Sequence, residues 1–340
     1  MTVSVALCTY NGANYLELQL ESILNQTVVP DEVVVSDDGS DDGTLELVRD
    51  YAQQYPETIR VLDEEKNLGV TKNFEHAIEA CEGELIALAD QDDYWHEEKL
   101  ERQIEAYEQT DAELICHDSY LVSNNNVMTN HADATLWSSI RGRHNPLTAT
   151  DPKRAVSELL ERNFVQGATI LVSSKLVDQA LPIPDCANHD YYLAILAALT
   201  NGIYDMDARL LNYRQHSDQD IGVSRSPLQK LTKEISIEAE EYGRRACFWK
   251  EVLSLVQSLE SDIMTVDREW LVERLSQRHS YSESRQTIRN RSTPMMERIS
   301  TFGQNVMMRR YVQFGHPAMI LTDLFMLLFI GTPIDSHLHS

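Results

Sequence analysis

The chain has 340 residues, 42% of them hydrophobic, enough for one large domain or two ordinary ones with a sizeable core. Its formal net charge of −25 excludes nucleic acid as the main partner, because a phosphate backbone needs a basic surface. The basic residues are 8 Lys against 21 Arg beside 54 acidic residues. That balance fits a halophilic chain in a salt-rich cytoplasm, where screening removes self-repulsion; an ordinary acidic protein is the other reading. Cys8, Cys81, Cys116, Cys186 and Cys247 are odd in number and form no Cys-x-x-Cys pair, as expected of a reducing compartment without a zinc or disulfide framework. No signal peptide is expected, since the sequence opens directly into strand-like residues, and a cytoplasmic location follows.

Residues 3–8 are apolar and β-prone, and Thr9-Tyr10-Asn11-Gly12 breaks them. Residues 15–24 carry helical spacing through Leu16, Leu20, Ile23 and Leu24. A second buried strand, 32–36, ends in Asp37-Asp38-Gly39-Ser40-Asp41-Asp42-Gly43-Thr44, and a helix over 44–54 follows. Residues 60–62 form a third strand, Asn67-Leu68-Gly69 a turn and 72–81 a helix. The fourth strand begins at Leu85 and runs straight into Asp90, Asp92 and Asp93. Helix resumes over 97–109, and 114–122 is strand-like. Four alternations of strand and helix predict a parallel sheet covered by helices. Two of its strands end in acidic clusters on the same carboxyl edge, where open α/β sheets bind ligands.

Three carboxylates within four residues are costly to gather unless a cation shares them. Hard oxygen ligands of this kind suit Mg²⁺ or Mn²⁺, which also accept phosphate oxygens. A metal–diphosphate site is therefore expected at Asp90–Asp93, against an acidic turn that caps the next helix. The polar, irregular stretch 123–152 predicts a functional loop. A helix over 155–162, a strand over 170–172, an apolar helix over 191–199 and a strand over 209–215 complete this part. From Pro227 the pattern is helical, to about residue 260, then 266–288, then 294–311. Residues 318–330 are strongly apolar but, at about 13 residues, too short to span a bilayer, which takes roughly 20. An interfacial anchor or a buried docking helix fits this stretch, 316–332 with its flanks, and Arg309-Arg310 upstream favours anionic lipid.

Val3-Ser-Val-Ala-Leu-Cys-Thr-Tyr-Asn-Gly12, Ser22-Ile-Leu-Asn-Gln26, Val34-Val-Ser-Asp-Asp-Gly-Ser-Asp-Asp-Gly-Thr44, Asn67-Leu-Gly69 and Ala89-Asp-Gln-Asp-Asp-Tyr-Trp95 follow one another at telling intervals. In order and spacing they resemble the family 2 inverting glycosyltransferases with the GT-A fold, over roughly residues 1–220. Asp90-Gln-Asp-Asp-Tyr-Trp95, His189-Asp190 and Tyr213-Arg-Gln-His216 are most similar to the rhamnosyltransferase-like branch. The resemblance implies an α/β fold, Rossmann-like with a mostly parallel central sheet and flanking helices, plus a helical C-terminal region over 221–340. It implies a nucleoside-diphosphate sugar donor, a glycan or lipid-linked glycan acceptor, and work in cell-surface polysaccharide or glycoprotein glycan assembly, peripheral at the cytoplasmic face of the membrane.

The resemblance also assigns residues. Thr9, Tyr10 and Asp37 would surround the nucleotide, with Tyr10 offering an aromatic face and Asp37 accepting from a pyrimidine ring N–H; Tyr10 alone would also suit a sheet edge. Asp38, Ser40 and Asp42 would organise the turn. Lys72 would touch the pyrophosphate, or else be a solvated helix-face lysine. Asp90 would sit near ribose or metal, Asp92 would ligate the metal, and Asp93 would support it or cap a helix. His216 would reach the metal or diphosphate, or be ordinary surface, and Arg214 would hold phosphate. Asp190 is the candidate general base, with a plain N-cap as its other reading. Gln166 and Gly167 would lie on the acceptor side, Gly167 admitting close backbone approach. Two rivals stand beside transfer: a nucleotidyltransferase, for which Cys8–Gly12 lacks the Gly-rich basic phosphate loop, and an inactive sugar- or membrane-binding scaffold.

Overall fold

The computed structural model describes residues 1–63, 66–110, 112–123, 135–141, 152–216, 237–260, 264–314 and 318–329. The chain divides into two compact units, residues 1–223 with 262–266, and residues 224–261 with 267–340. The boundary expected at 220 falls outside the described residues, as does most of the 123–152 loop.

In the first unit the Val- and Leu-rich runs form β1 (Val3–Thr9), β2 (Glu32–Asp37), β3 (Ile59–Asp63) and β4 (Leu85–Asp90), with α1 (Leu16–Leu24), α2 (Thr44–Gln54) and α3 (Val70–Ala80) between them. Every residue of β1 is buried, as expected for a strand covered on both faces. β1 lies between β2 and β4, all parallel, with Thr9 opposite Asp37 and Cys8 opposite Asp90. That register brings both acidic clusters to one edge.

The second half of the sheet was harder to foresee. After the two-residue β5 (Tyr94–Trp95) and α4 (Lys99–Gln109) come β6 (Leu114–Ser123), short helices α5 (Leu136–Arg141) and α6 (Pro152–Glu161), and a 3-10 turn at Gly167–Thr169. Then follow β7 (Leu171–Ser173), α7 (Ser174–Ala180), α8 (His189–Leu199) and β8 (Ile203–Gln215). The strand order is β3-β2-β1-β4-β7-β6-β8-β5. β7 is antiparallel to both β4 and β6, so the sheet is mixed, parallel through its first half. β8 starts six residues before the expected 209 and runs parallel to β6. β5 pairs antiparallel with its far end, Tyr94 to Asn212 and Trp95 to Leu211. This small pairing carries the acidic turn to the end of β8.

The second unit contains α9 (Ala239–Ser258), α10 (Arg268–Arg289), α11 (Met295–Met307), α12 (Arg310–Phe314) and α13 (Ala318–Phe329). The single helix expected over 294–311 is broken at Arg309, whose φ of 52° is left-handed. Asp323, the one charge in the apolar C-terminal stretch, is fully buried. It pairs with Arg285 at 2.7 Å and Arg289 at 3.0 Å and accepts from the Tyr311 hydroxyl at 2.7 Å. Among the described residues no helix is long and apolar enough to cross a membrane.

Candidate functional site

Two loops at the carboxyl edge are tied together by their own carboxylates. Asp37, fully buried at the end of β2, accepts from Thr9 Oγ1 at 2.7 Å and from the Ser40 amide and hydroxyl. Asp38 accepts from the amides of Leu68 and Gly69. Asp42 accepts from Thr44 and from the Ala13 amide at 3.1 Å. Burial pushes its carboxyl up, but the Thr44 and Ala13 bonds outweigh this and hold it below the usual range. Tyr10 is left 48% exposed above this framework.

The acidic turn after β4 is the second part. Gln91 bridges back to β1, accepting from the Tyr10 amide and donating to its carbonyl, both at 2.8 Å. Asp93 is buried and accepts from the Arg214 amide at 3.0 Å, which locks the turn to the end of β8. Asp92 Oδ2 and His216 Nε2 then stand 2.9 Å apart. The His216 ring stacks on Tyr15 with centroids 4.2 Å apart, and the Arg214 guanidinium lies 5.2 Å from the same ring and 5.8 Å from that of Tyr94. Burial, then the charges of Asp92 and Asp190, push the Asp90 carboxyl up to about 7.

Asp190 is the third part. The N-cap of α8 is Asn188, so Asp190 lies inside the first turn and is not the cap. Its carboxylate accepts from the Tyr191 amide and from Asn163 Nδ2 at 3.3 Å. Burial pushes it up to about 6, against the lowering effect of these bonds. The effect of the Asp190 charge on Asp90 links residues one hundred positions apart in one cluster. Among the described residues no three His, Cys, Asp or Glu side chains form a ready metal cage. Asp92 and His216 face each other as a pair within hydrogen-bond distance.

Residues 4–157 match the family model described as Glycosyl transferase family 2. The family 2 glycosyltransferase match thus covers that stretch, a little under half of the chain. The dTDP-rhamnosyl transferase RfbG of Shigella flexneri is 26% identical over 268 residues, covering 75% of this chain and 85% of that protein. An uncharacterized Mycobacterium tuberculosis protein is 26% identical over 218 residues, 63% of this chain and 59% of its own length, so the chain spans well under two thirds of that relative. In fold, S. aureus TarS 1-349 in complex with UDP-GlcNAc superposes with a TM-score of 0.62 at 16% identity, over 96% of this chain and 90% of that one. The mannosyltransferase PcManGT of Pyrobaculum calidifontis, in complex with GDP-Man and Mn²⁺, gives 0.50 at 14% identity, over 97% and 88%. The fold is GT-A with a helical C-terminal region.

In the first unit, Thr9, Tyr10, Asp37, Asp90, Asp92, Arg214 and His216 all come to the carboxyl edge, and Asp190 joins them from α8. Three of the expected residues are engaged by the chain's own groups. Lys72 is not a free surface lysine: its ammonium is 2.8 Å from Glu75, 3.2 Å from Asp185 and 2.7 Å from the Ile183 carbonyl, fastening α3 to residues 183–185. Gly167 is demanded by packing, because a Cβ there would lie 2.8 Å from His189 Nε2. Asp37 spends its carboxylate on Thr9 and Ser40 and has no exposed surface for a base N–H. Gln166 stays beside the cluster, its side chain bonded to Tyr213. Sequence reasoning passed over Gln91, Asn163 and Tyr15. Gln91 lay inside the Asp-Gln-Asp-Asp motif it had singled out; the other two carried no local signal.

Proposed function

We propose that the domain moves a sugar from a nucleoside diphosphate to a hydroxyl of a glycan or lipid-linked glycan, with inversion, in the assembly of a cell-surface polysaccharide or glycoprotein glycan. The observation that carries this reading is the Asp90–Asp92–Asp190 cluster beside His216. Asp92 and His216 are suited to hold Mg²⁺ or Mn²⁺, since a carboxylate and an imidazole nitrogen 2.9 Å apart are ready donors and their acidic surroundings favour a cation. Such a cation, when bound, supplies Lewis-acid neutralisation of the departing diphosphate.

The chain's own residues do the rest. Tyr10 offers its exposed ring to the base, over a floor built by Thr9 and Asp37. Asp90 faces the ribose, and Arg214, held by its rings, complements the phosphates. Asp190 takes the proton of the acceptor hydroxyl. A carboxyl pushed up to about 6 is close to the pH at which it must accept that proton, which is where a general base works best. Asn163 and the Tyr191 amide keep it aimed. Gln166, next to Asp190's turn, lies on the acceptor side.

The donors named for the structural neighbours, UDP-GlcNAc and GDP-Man, and the dTDP-rhamnosyl relative set the first panel to try. Thermal shift with UDP-, GDP- and dTDP-sugars, each with and without Mn²⁺, is expected to single out one donor that stabilises the protein only with metal. With that donor, Asp190→Asn should lower turnover by about 10²–10⁴-fold while the thermal shift persists. Turnover retained in the variant removes Asp190 from the role. No hydrolysis or transfer with any donor would instead favour the inactive scaffold.

A further inference from the structure

One helix of the second unit, α11, has its polarity reversed. In water, an amphipathic helix turns its apolar stripe inward. On α11 the opposite holds: Arg298 and Asn305 are buried, while Met296, Ile299, Val306 and Met307 are exposed, Met296 at 77% and Met307 at 86%. At 3.6 residues per turn, 296, 299, 303 and 306 share one face and 298 and 305 the other. Gly303, on the exposed face, has open space around it. α13 is mixed, burying Thr322 and Asp323 together with Met326 and Leu327 and leaving Leu321 67% exposed. Between them Met308 and Val312 are also exposed.

What lies inside explains the arrangement. Arg298 donates to the carbonyls of Ile288 at 2.7 Å and Met326 at 3.4 Å. Asn305 exchanges hydrogen bonds with Ser284, and Asp323 gathers Arg285, Arg289 and Tyr311. These polar side chains hold the helices together from within and leave the methionines facing out. Exposed apolar surface of this kind marks an interaction site.

Charge selects the occupant. Of the six arginines in residues 284–329, Arg285, Arg289 and Arg298 are buried with Asp323, which leaves Arg291, Arg309 and Arg310 against Glu297 outside, a net of +2, on a chain whose overall charge is −25. Arg291 and Arg309 are exposed at the two ends of α11. A second copy meeting this face with its own would set like charge against like. An anionic lipid surface supplies the opposite charge and an apolar layer for the methionines.

We propose that α11–α13 form a monotopic docking face for an anionic membrane, lying in the interface with α11 as its main contact. The proposal does not depend on the glycosyl-transfer reading. It also moves the contact from where the sequence placed it: α13 is fastened by Asp323, and the most exposed apolar side chains belong to the α11–α12 segment.

The test is flotation of the full chain with vesicles of phosphatidylcholine alone or with about one-third phosphatidylglycerol. The wild-type protein is expected to float with the anionic vesicles and not the neutral ones, although a chain of net charge −25 would otherwise be repelled by them. Met296→Glu with Met307→Glu should lower the bound fraction by about tenfold or more, with an unchanged melting temperature, since a charge at each site opposes insertion. Met307→Trp should bind at least as tightly, with its added emission quenched by brominated lipid. No flotation, unchanged binding by the double glutamate variant, or unquenched tryptophan overturns the proposal. A lipid-free dimer that the double glutamate variant dissolves overturns it as well, and makes a second copy the occupant.

Discussion

The two units solve the problem of a buried carboxylate in opposite ways. In the second, Asp323 is met by two guanidiniums and a phenol, and nothing is left for a ligand to do. In the first, burial and the charges of Asp92 and Asp190 raise the Asp90 carboxyl, burial raises that of Asp190, and His216 stands beside Asp92. An acidic centre that is satisfied by its own chain is structural. One that is left short of positive charge is what the proposed cation and donor would complete.

Breaking the satisfied centre should have the largest effect. Asp323→Ala strands Arg285 and Arg289 in the interior and is expected to destabilise the second unit by about 3–5 kcal/mol, read from denaturant unfolding. A loss below about 1 kcal/mol would mean the pairing holds little. On the other side, Asp92→Ala should leave folding almost untouched and weaken metal-dependent donor binding by roughly ten- to a hundredfold, measured calorimetrically with and without Mn²⁺. Equal affinity in both conditions would show that Asp92 holds no metal.

Asp190 gives a finer discrimination through pH. Its folded value, about 6, lies above the ordinary value near 3.9, so ionisation opposes folding. The penalty is in full force above pH about 6, fades as pH falls between about 6 and 4, and is gone below both values. Asp190→Asn should therefore stabilise the protein at neutral pH, by on the order of 1 kcal/mol for a part-exposed group, and lose that advantage near pH 4. Turnover of the wild type should fall by about tenfold per pH unit below the same value. A flat acid limb would point to another base. The smallest effect concerns the whole surface: the melting temperature should rise with added KCl as screening relieves the acidic excess, and a fall would refute the halophilic reading.

Much of the first unit was legible because its signals are local. Buried parallel strands announce themselves as Val33-Val34-Val35 or Leu85–Ala89, and the acidic clusters follow immediately in the chain. What stayed hidden depends on partners distant in sequence. β5 is two residues long and has no periodicity to read; it exists because β8 offers it an edge. Asn163 is ordinary until α8 brings Asp190 to it, and nothing near Lys72 in the sequence announces its contacts with residues 183–185. In the second unit the helical period was plain but its polarity was not. A reader of residues 294–311 would bury Met296 and Met307 and expose Arg298, and the network beneath reverses that choice.

The contact between Gly12 and Gln91 carries a consequence for how such a chain can diverge. Any side chain at position 12 would run into the Gln91 amide, which already holds the Tyr10 backbone by both of its ends. A replacement at 12 therefore evicts Gln91, releases the loop bearing the exposed aromatic ring, and loosens the acidic turn on which Asp92 sits. The two positions are 79 residues apart yet can drift only as a pair: a longer residue at one must arrive with a shorter one at the other, and with some new means of holding Tyr10.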